Sequence, residues 1–178
     1  MGALVAFDVH GTWGTTHVCD SLLKLHLRVL GADFGRQDDI NLPLPEGARG
    51  TDSAECIRLP LQAGSWHARW GEWGCHQADG NGVLVLRVVE GSLLVYLESE
   101  QGHSAVFCEA GEWLALPAGL PFKLDAGEAP ALELRVLPAA TARRSIQAHA
   151  MAARRKALPS HDAFVAALLE LTGYAAED

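Results

Sequence analysis

Short apolar runs separated by glycine-containing turns fill the chain from Cys56 to Leu137. Runs rich in valine, leucine and aromatic residues are typical of β-strands, and pairs such as Asn81-Gly82 and Glu90-Gly91 mark the turns between them. Because no helical period interrupts this region, we predict a mainly β sandwich or barrel. The predicted strands are Cys56–Pro60, Trp66–Trp73, Val83–Val89, Leu93–Glu98, Ala105–Cys108, Trp113–Leu116, Phe122–Leu124 and Leu132–Leu137.

The segments on either side have a different pattern. Ala3–Val9 is an apolar run that predicts a strand. Val18–Leu30 has apolar residues at helical spacing and a glycine directly after it, which predicts a helix with a glycine cap. Near the end of the chain, Thr141–Leu158 is rich in alanine and arginine and predicts a helix. Ser160 is then a suitable N-cap for a last helix over Asp162–Leu171.

The length and composition fit one globular unit. The chain has 178 residues, of which 49% are hydrophobic and 20% charged. We divide it into a strand, helix and loop (1–55), a β-barrel (56–138) and C-terminal helices (139–178). The formal net charge of -8 argues against a nucleic acid or an anionic membrane as partner, because both bind basic surfaces.

Two further features of the sequence bear on the cellular compartment in which the protein works. No apolar run approaches the roughly 20 residues that span a bilayer, and the first residues lack the basic start of a signal peptide. The four cysteines contain no CxxC pair, so we expect reduced thiols. These features together predict a cytoplasmic protein.

The segment Gly111–Phe122, GEWLALPAGLPF, has the spacing of the second cupin motif, GxxxxxPxGxxH, up to its last position. The longer string AVFCEAGEWLALPAGLPFKLDAGEAP resembles the acireductone dioxygenases, a branch of the cupins. The turn His10-Gly11-Thr12 and the segment Gly31–Phe34 are also similar to the opening of that family. The resemblance implies a single cupin barrel, which is a jelly roll or double-stranded β-helix, with an N-terminal strand and helix and C-terminal helices.

In that family an HxHxxxE motif and a later histidine hold iron or nickel. Counting back from Gly91, which closes the first motif, places three of these positions at Ala78, Gly80 and Leu84, and Phe122 stands at the fourth. None of these side chains binds a metal. We therefore predict that the family's metal site is lost and that the protein uses no cofactor.

An alternative keeps a metal by moving its ligands. His67 and His76 lie near the expected motif, and with Cys75 or Cys108 they offer residue types that bind iron or zinc. This hypothesis predicts a dioxygenase of the acireductone type with Fe²⁺ or Ni²⁺ in a relocated site. A third hypothesis is a non-catalytic binding or interaction module that forms a homodimer.

The preferred hypothesis is that the barrel binds a small organic molecule and carries out metal-independent chemistry of the isomerase or lyase type. We expect an apolar lining, arginines that hold an anion, and an aromatic stretch that adds contacts. The predicted substrate-binding residues are His67, Trp70, Leu84, Leu86, Arg87, Phe122, Leu124 and Arg135, and the predicted acid–base residues are His76, Glu98 and Glu133.

Overall fold

β-Strands make up more than half of the residues that the computed structural model of the chain describes. The model describes residues 2–36, 55–59, 71–77, 83–128, 131–137, 143–146 and 158–173. The twelve strands within these ranges are β1 (Ala3–Phe7), β2 (Trp13–His17), β3 (Asp33–Arg36), β4 (Glu55–Leu59), β5 (Gly74–Gln77), β6 (Val83–Glu90), β7 (Ser92–Ser99), β8 (Gly102–Glu109), β9 (Glu112–Pro117), β10 (Pro121–Asp125), β11 (Leu132–Leu137) and β12 (Arg143–Ile146). The helices are α1 (Asp20–Val29) and α2 (His161–Thr172).

The strands form two antiparallel sheets. The seven-stranded sheet has the order β12-β5-β10-β7-β8-β1-β2, and the five-stranded sheet has the order β3-β9-β6-β11-β4. The two sheets lie face to face as a cupin-like sandwich, and among the described strands they do not close into a barrel. The predicted mainly β cupin fold is thus confirmed, in the form of a sandwich.

The core lies between the two sheets. Alternate residues of strands β6, β7, β9, β10 and β11 point into it, because successive side chains of a strand face opposite sides. The side chains of Leu84 and Phe122 are each 1% exposed, and Leu86 and Leu124 belong to the same cluster. Exposure this low means that neighbouring side chains cover these residues almost completely.

A second apolar cluster covers the outer face of the seven-stranded sheet. Phe164 and Leu168 of α2 pack there against Leu94 and Tyr96 of β7. The hydroxyl of Tyr96 donates a 2.6 Å hydrogen bond to the carbonyl oxygen of Pro159, just before the helix. Burial raises the pKa of Tyr96, so this hydroxyl keeps its proton and the bond.

The N-terminal elements agree with the sequence pattern and add to it. The predicted first strand and helix are present as β1 and α1. The helix ends where predicted, because Gly31 has a positive φ of 71° and its N–H donates to the carbonyl of Arg28. Strands β2 and β3 are additions, since the sequence pattern indicated a turn and a loop there.

The predicted strand over Trp66–Trp73 needs a correction. Residues 66–70 lie outside the described residues, and residues 71–73 form a turn in which Gly71 has a positive φ of 77°. The strand at this place is β5, which begins only at Gly74.

The C-terminal region needs one correction. The pattern predicted a helix over Thr141–Leu158, but residues Arg143–Ile146 form β12, which pairs with β5. A free edge strand offers backbone hydrogen bonds that override a moderate helix propensity. Residues 147–157 lie outside the described residues. The last predicted helix is confirmed as α2, and the Ser160 side chain accepts the N–H of Ala163.

Neither described helix is long and apolar enough to cross a membrane. All four cysteines are free thiols, which agrees with the prediction from their spacing.

The packing between the sheets can be tested with Phe122→Ala. We expect a loss of about 3–5 kcal/mol in the free energy of unfolding, because the substitution leaves a cavity in a rigid core. Urea unfolding followed by circular dichroism measures it. Leu171→Ala is the matched control, since Leu171 is exposed on α2 and should change stability by less than about 0.5 kcal/mol. A loss below about 1 kcal/mol for Phe122→Ala contradicts the packing described here.

Candidate functional site

The space between the sheets is where the family resemblance implies a metal. Leu84 on β6 and Phe122 on β10 stand at two of the four implied ligand positions, and both are buried in the core. The other two, Ala78 and Gly80, lie outside the described residues, and neither has a side chain with a donor atom. Hydrocarbon side chains cannot coordinate Fe²⁺ or Ni²⁺, which need nitrogen, oxygen or sulfur donors. These positions do not fit the metal.

The predicted apolar lining comes together in this same core. Leu84, Leu86, Phe122 and Leu124 all belong to one cluster between the sheets, and each is buried. They pack against each other and against the remaining core side chains. A ligand between the sheets would therefore have to displace them.

The relocated metal site falls partly outside the described residues. His67 and Trp70 lie outside them, and for His76 only its place on β5 is described, opposite Arg144 of β12. Cys108 lies in the core, where burial raises the pKa of its thiol. A protonated thiol is a poor metal ligand. Within the described ranges, no group of three His, Cys, Asp or Glu side chains could hold a metal ion.

Glu98 lies on the outer face of the seven-stranded sheet. Its carboxylate is buried and lies 3.5 Å from Nε2 of His103, which is opposite it in the β7–β8 pair. The ring of Trp73 lies 5.5 Å from the imidazole of His103. The sequence analysis missed His103. The hairpin between β7 and β8 could have indicated it, because a two-residue turn after Ser99 places Glu98 opposite His103.

Three other predicted residues share the outer face of the five-stranded sheet. Arg87 of β6 is directly opposite Arg135 of β11, and on its other side it is opposite Trp113 of β9. Glu133 is two residues before Arg135 and so faces the same way. Glu98 and Glu133 are the two glutamates among the predicted acid–base residues. Glu98 lies on the other sheet, whereas Glu133 shares the face.

An ion pair and a depression adjoin the two arginines. Nε of Arg58 donates a 2.9 Å hydrogen bond to Glu133, whose side chain is 17% exposed, against 75% for Arg58. The hydrogen bond raises the pKa of Arg58 further. A surface depression of about 390 Å³ opens beside this pair, and it is lined by Arg58, Leu59, Glu90, Ala131, Leu132 and Glu133. The depression thus combines three charged side chains with the core residues Leu59 and Leu132.

The residue types on this face are those that recognise organic anions. Two guanidinium groups in register present several N–H donors to one carboxylate or phosphate. Trp113 and the small cluster around Val85 and Ala115 supply apolar contact beside them. The signal for this site in the sequence was the polar face of Glu133 and Arg135. The pairing of Arg87 with Arg135 depends on the register of strands far apart in the chain.

Comparison with known proteins gives a result at the level of the fold. No protein-family model matches the sequence, and no curated protein matches it. Among solved structures, the chain is similar to an acireductone dioxygenase from Bacillus anthracis that has a cadmium ion in its active centre. The TM-score is 0.61 at 13% sequence identity, and the match covers 82% of this chain and 98% of that one. The chain therefore shares the cupin fold of acireductone dioxygenase, as the sequence resemblance implied.

Proposed function

We propose that this protein is a cupin-fold protein that works without a metal between its sheets and binds a small organic anion. The first part is supported by the hydrocarbon side chains of Leu84 and Phe122 at implied ligand positions. The second part rests on one observation, the direct opposition of Arg87 and Arg135.

Like charges that face each other across two strands destabilise a sheet. Within the described residues, neither Arg87 nor Arg135 has an ion-pair partner that would relieve this repulsion. A bound anion between the two guanidinium groups would remove it. The chain has a net charge of -8, so most of its surface repels anions. A pair of adjacent arginines is therefore a local exception that favours anion binding.

The ligand class follows from the neighbours of the two arginines. A carboxylate or phosphate matches the guanidinium groups, and an apolar or aromatic body matches Trp113. Glu133 is the group on this face that we propose as the acid–base residue for metal-independent isomerase or lyase chemistry. Arg58 holds its carboxylate in place.

The anion site can be tested with phthalate, an aromatic dianion that offers carboxylates to the arginines and a ring to Trp113. Isothermal titration calorimetry should detect binding to the wild-type protein. We expect Arg87→Gln and Arg135→Gln each to weaken it about tenfold or more, or about 1.4 kcal/mol. Arg28→Gln is the control, because it removes the same charge from an exposed position on α1. Equal binding by all four proteins contradicts the site.

Removal of metal tests the other half of the proposal. Dialysis against a chelator should leave the unfolding temperature unchanged, because no metal is expected to contribute to the folded state. Elemental analysis of untagged protein purified without chelator should find far less than one equivalent of iron, nickel or zinc. About one equivalent per chain, reduced by His76→Ala, would instead support the relocated site of His67, His76 and Cys75.

A second candidate function is that of a homodimeric interaction module, and helix α1 favours it. The helix buries Leu23 and Leu27 against the core, yet its opposite side carries exposed apolar residues. These are Leu22, Leu25 and Val29, and their spacing of three and then four residues is that of a helix–helix seam. A second copy of the chain could bury this stripe against its own.

Light scattering after gel filtration tests the dimer. The expected mass is about twice the 19.0 kDa of one chain. Leu25→Glu should shift it to that of the monomer, because a carboxylate in the seam has no partner. Leu171→Glu is the control, since Leu171 is also exposed but lies on α2. A monomeric wild-type protein rules out this candidate.

A further inference from the structure

Three polar side chains form a hydrogen-bonded chain where α2 meets the seven-stranded sheet. Oγ of Ser92, the first residue of β7, lies 3.0 Å from Nε2 of His161. Nδ1 of the same imidazole lies 2.9 Å from Oδ1 of Asp162. The order hydroxyl, imidazole, carboxylate, with both bonds at normal length, is the arrangement that activates a serine nucleophile.

The carboxylate sets the protonation of the imidazole. The pKa of Asp162 is lowered, mainly by its hydrogen bond with His161 and further by the N–H of Glu128. An ionised carboxylate only accepts hydrogen bonds, so Nδ1 of His161 carries a proton and donates it to Asp162. In the neutral imidazole, Nε2 is then unprotonated and accepts the hydroxyl proton of Ser92. The serine proton already points to the base.

The loop after β10 holds this geometry. Gly127 has a φ of 86°, and a Cβ at that position would lie 2.5 Å from Oδ1 of Asp162 and 3.0 Å from Nδ1 of His161. Only glycine leaves room for this contact. Oδ2 of Asp125 accepts the backbone N–H of His161 at 2.9 Å, and the ring of Phe107 lies 5.8 Å from the imidazole.

The side chains of Ser92, His161 and Asp162 differ in solvent exposure, as nucleophilic catalysis by a shielded base requires. The imidazole of His161 is 10% exposed, whereas the Asp162 side chain is 54% exposed. Ser92 is half-buried at the end of its strand, directly after the turn at Gly91. The base is thus shielded on the Phe107 side, while the half-buried serine lies at the beginning of an interior strand.

We propose that these three residues catalyse acyl transfer from small esters to water. Ser92 is the nucleophile, His161 is the general base, and the carboxylate of Asp162 orients the imidazole. This inference goes beyond the proposed anion binding and does not rest on it. Oγ of Ser92 forms a bond to the acyl carbon, and its proton moves to Nε2 of His161. The bond from the acyl carbon to the alcohol oxygen breaks, and the alcohol takes that proton. Water then repeats the transfer, which releases the carboxylic acid and restores Ser92.

The same bonds also attach α2 to the sheet, so the test needs readouts that attachment alone would not give. The first is hydrolysis of p-nitrophenyl acetate, followed as release of p-nitrophenolate. The second is reaction with phenylmethanesulfonyl fluoride, in which the serine oxygen displaces fluoride, with the modified residue mapped by mass spectrometry.

We expect the wild-type protein to hydrolyse p-nitrophenyl acetate above the buffer rate and the sulfonyl group to map to Ser92. Ser92→Ala should lower the protein-catalysed rate by about 100-fold or more, as should Asp162→Asn, which removes the charge that orients the imidazole. Circular dichroism checks that both variants fold. Asp162 is mostly exposed, so its variant keeps the test valid where Ser92→Ala is unstable.

Ser104→Ala is the matched control. Ser104 also has its hydroxyl 3.0 Å from a histidine, Nε2 of His26, but no carboxylate hydrogen bond to His26 occurs among the described residues. The Ser104→Ala variant should hydrolyse p-nitrophenyl acetate at the wild-type rate. The proposal is overturned if the folded Ser92→Ala or Asp162→Asn variant keeps the wild-type rate, if wild-type protein does not exceed the buffer rate, or if the sulfonyl group maps elsewhere.

Discussion

The contact between the apolar inner faces of the two sheets is the interaction on which the rest of the structure depends. Strands β6 to β11 supply most of its side chains, and burial of a leucine or phenylalanine side chain contributes about 1.5–3 kcal/mol. The alternation of side chains along these strands sends every second one outward. Because the described core between the sheets is mostly hydrocarbon, the two proposed sites lie on the outer faces.

This division separates the protein from the solved structure that it resembles in fold. The acireductone dioxygenase from Bacillus anthracis has a cadmium ion in its active centre, whereas here the implied ligand positions at Leu84 and Phe122 carry core side chains. A fold fixes where strands run and leaves open which face carries the chemistry. The proposed anion site and the proposed triad use opposite outer faces, so they can be studied independently.

The sequence predicted the strands that have a clear apolar alternation and missed those that do not. Strands β6, β7, β9, β10 and β11 were predicted to within one residue at either end, because each buries several large side chains. Strand β8 was also predicted, but it begins three residues before the predicted start. Strands β2, β3 and β12 are short edge strands with few apolar residues, and pairing with a neighbour stabilises them more than their own composition does. Of the two candidate sites, the sequence analysis named Arg87, Glu133 and Arg135 as site residues but none of Ser92, His161 and Asp162. The opposition of Arg87 and Arg135 and the hydrogen bond of Ser92 with His161 depend on tertiary pairing that the sequence pattern does not contain.

The position of β1 has a consequence for how the chain folds. The β7–β8 hairpin pairs residues that are close in sequence, but β1 pairs along its whole length with β8, about a hundred residues later. During synthesis, the apolar residues of β1 therefore leave the ribosome long before their partner strand exists. Until β8 is made, the nascent chain exposes an apolar, aggregation-prone segment that a chaperone would have to shield.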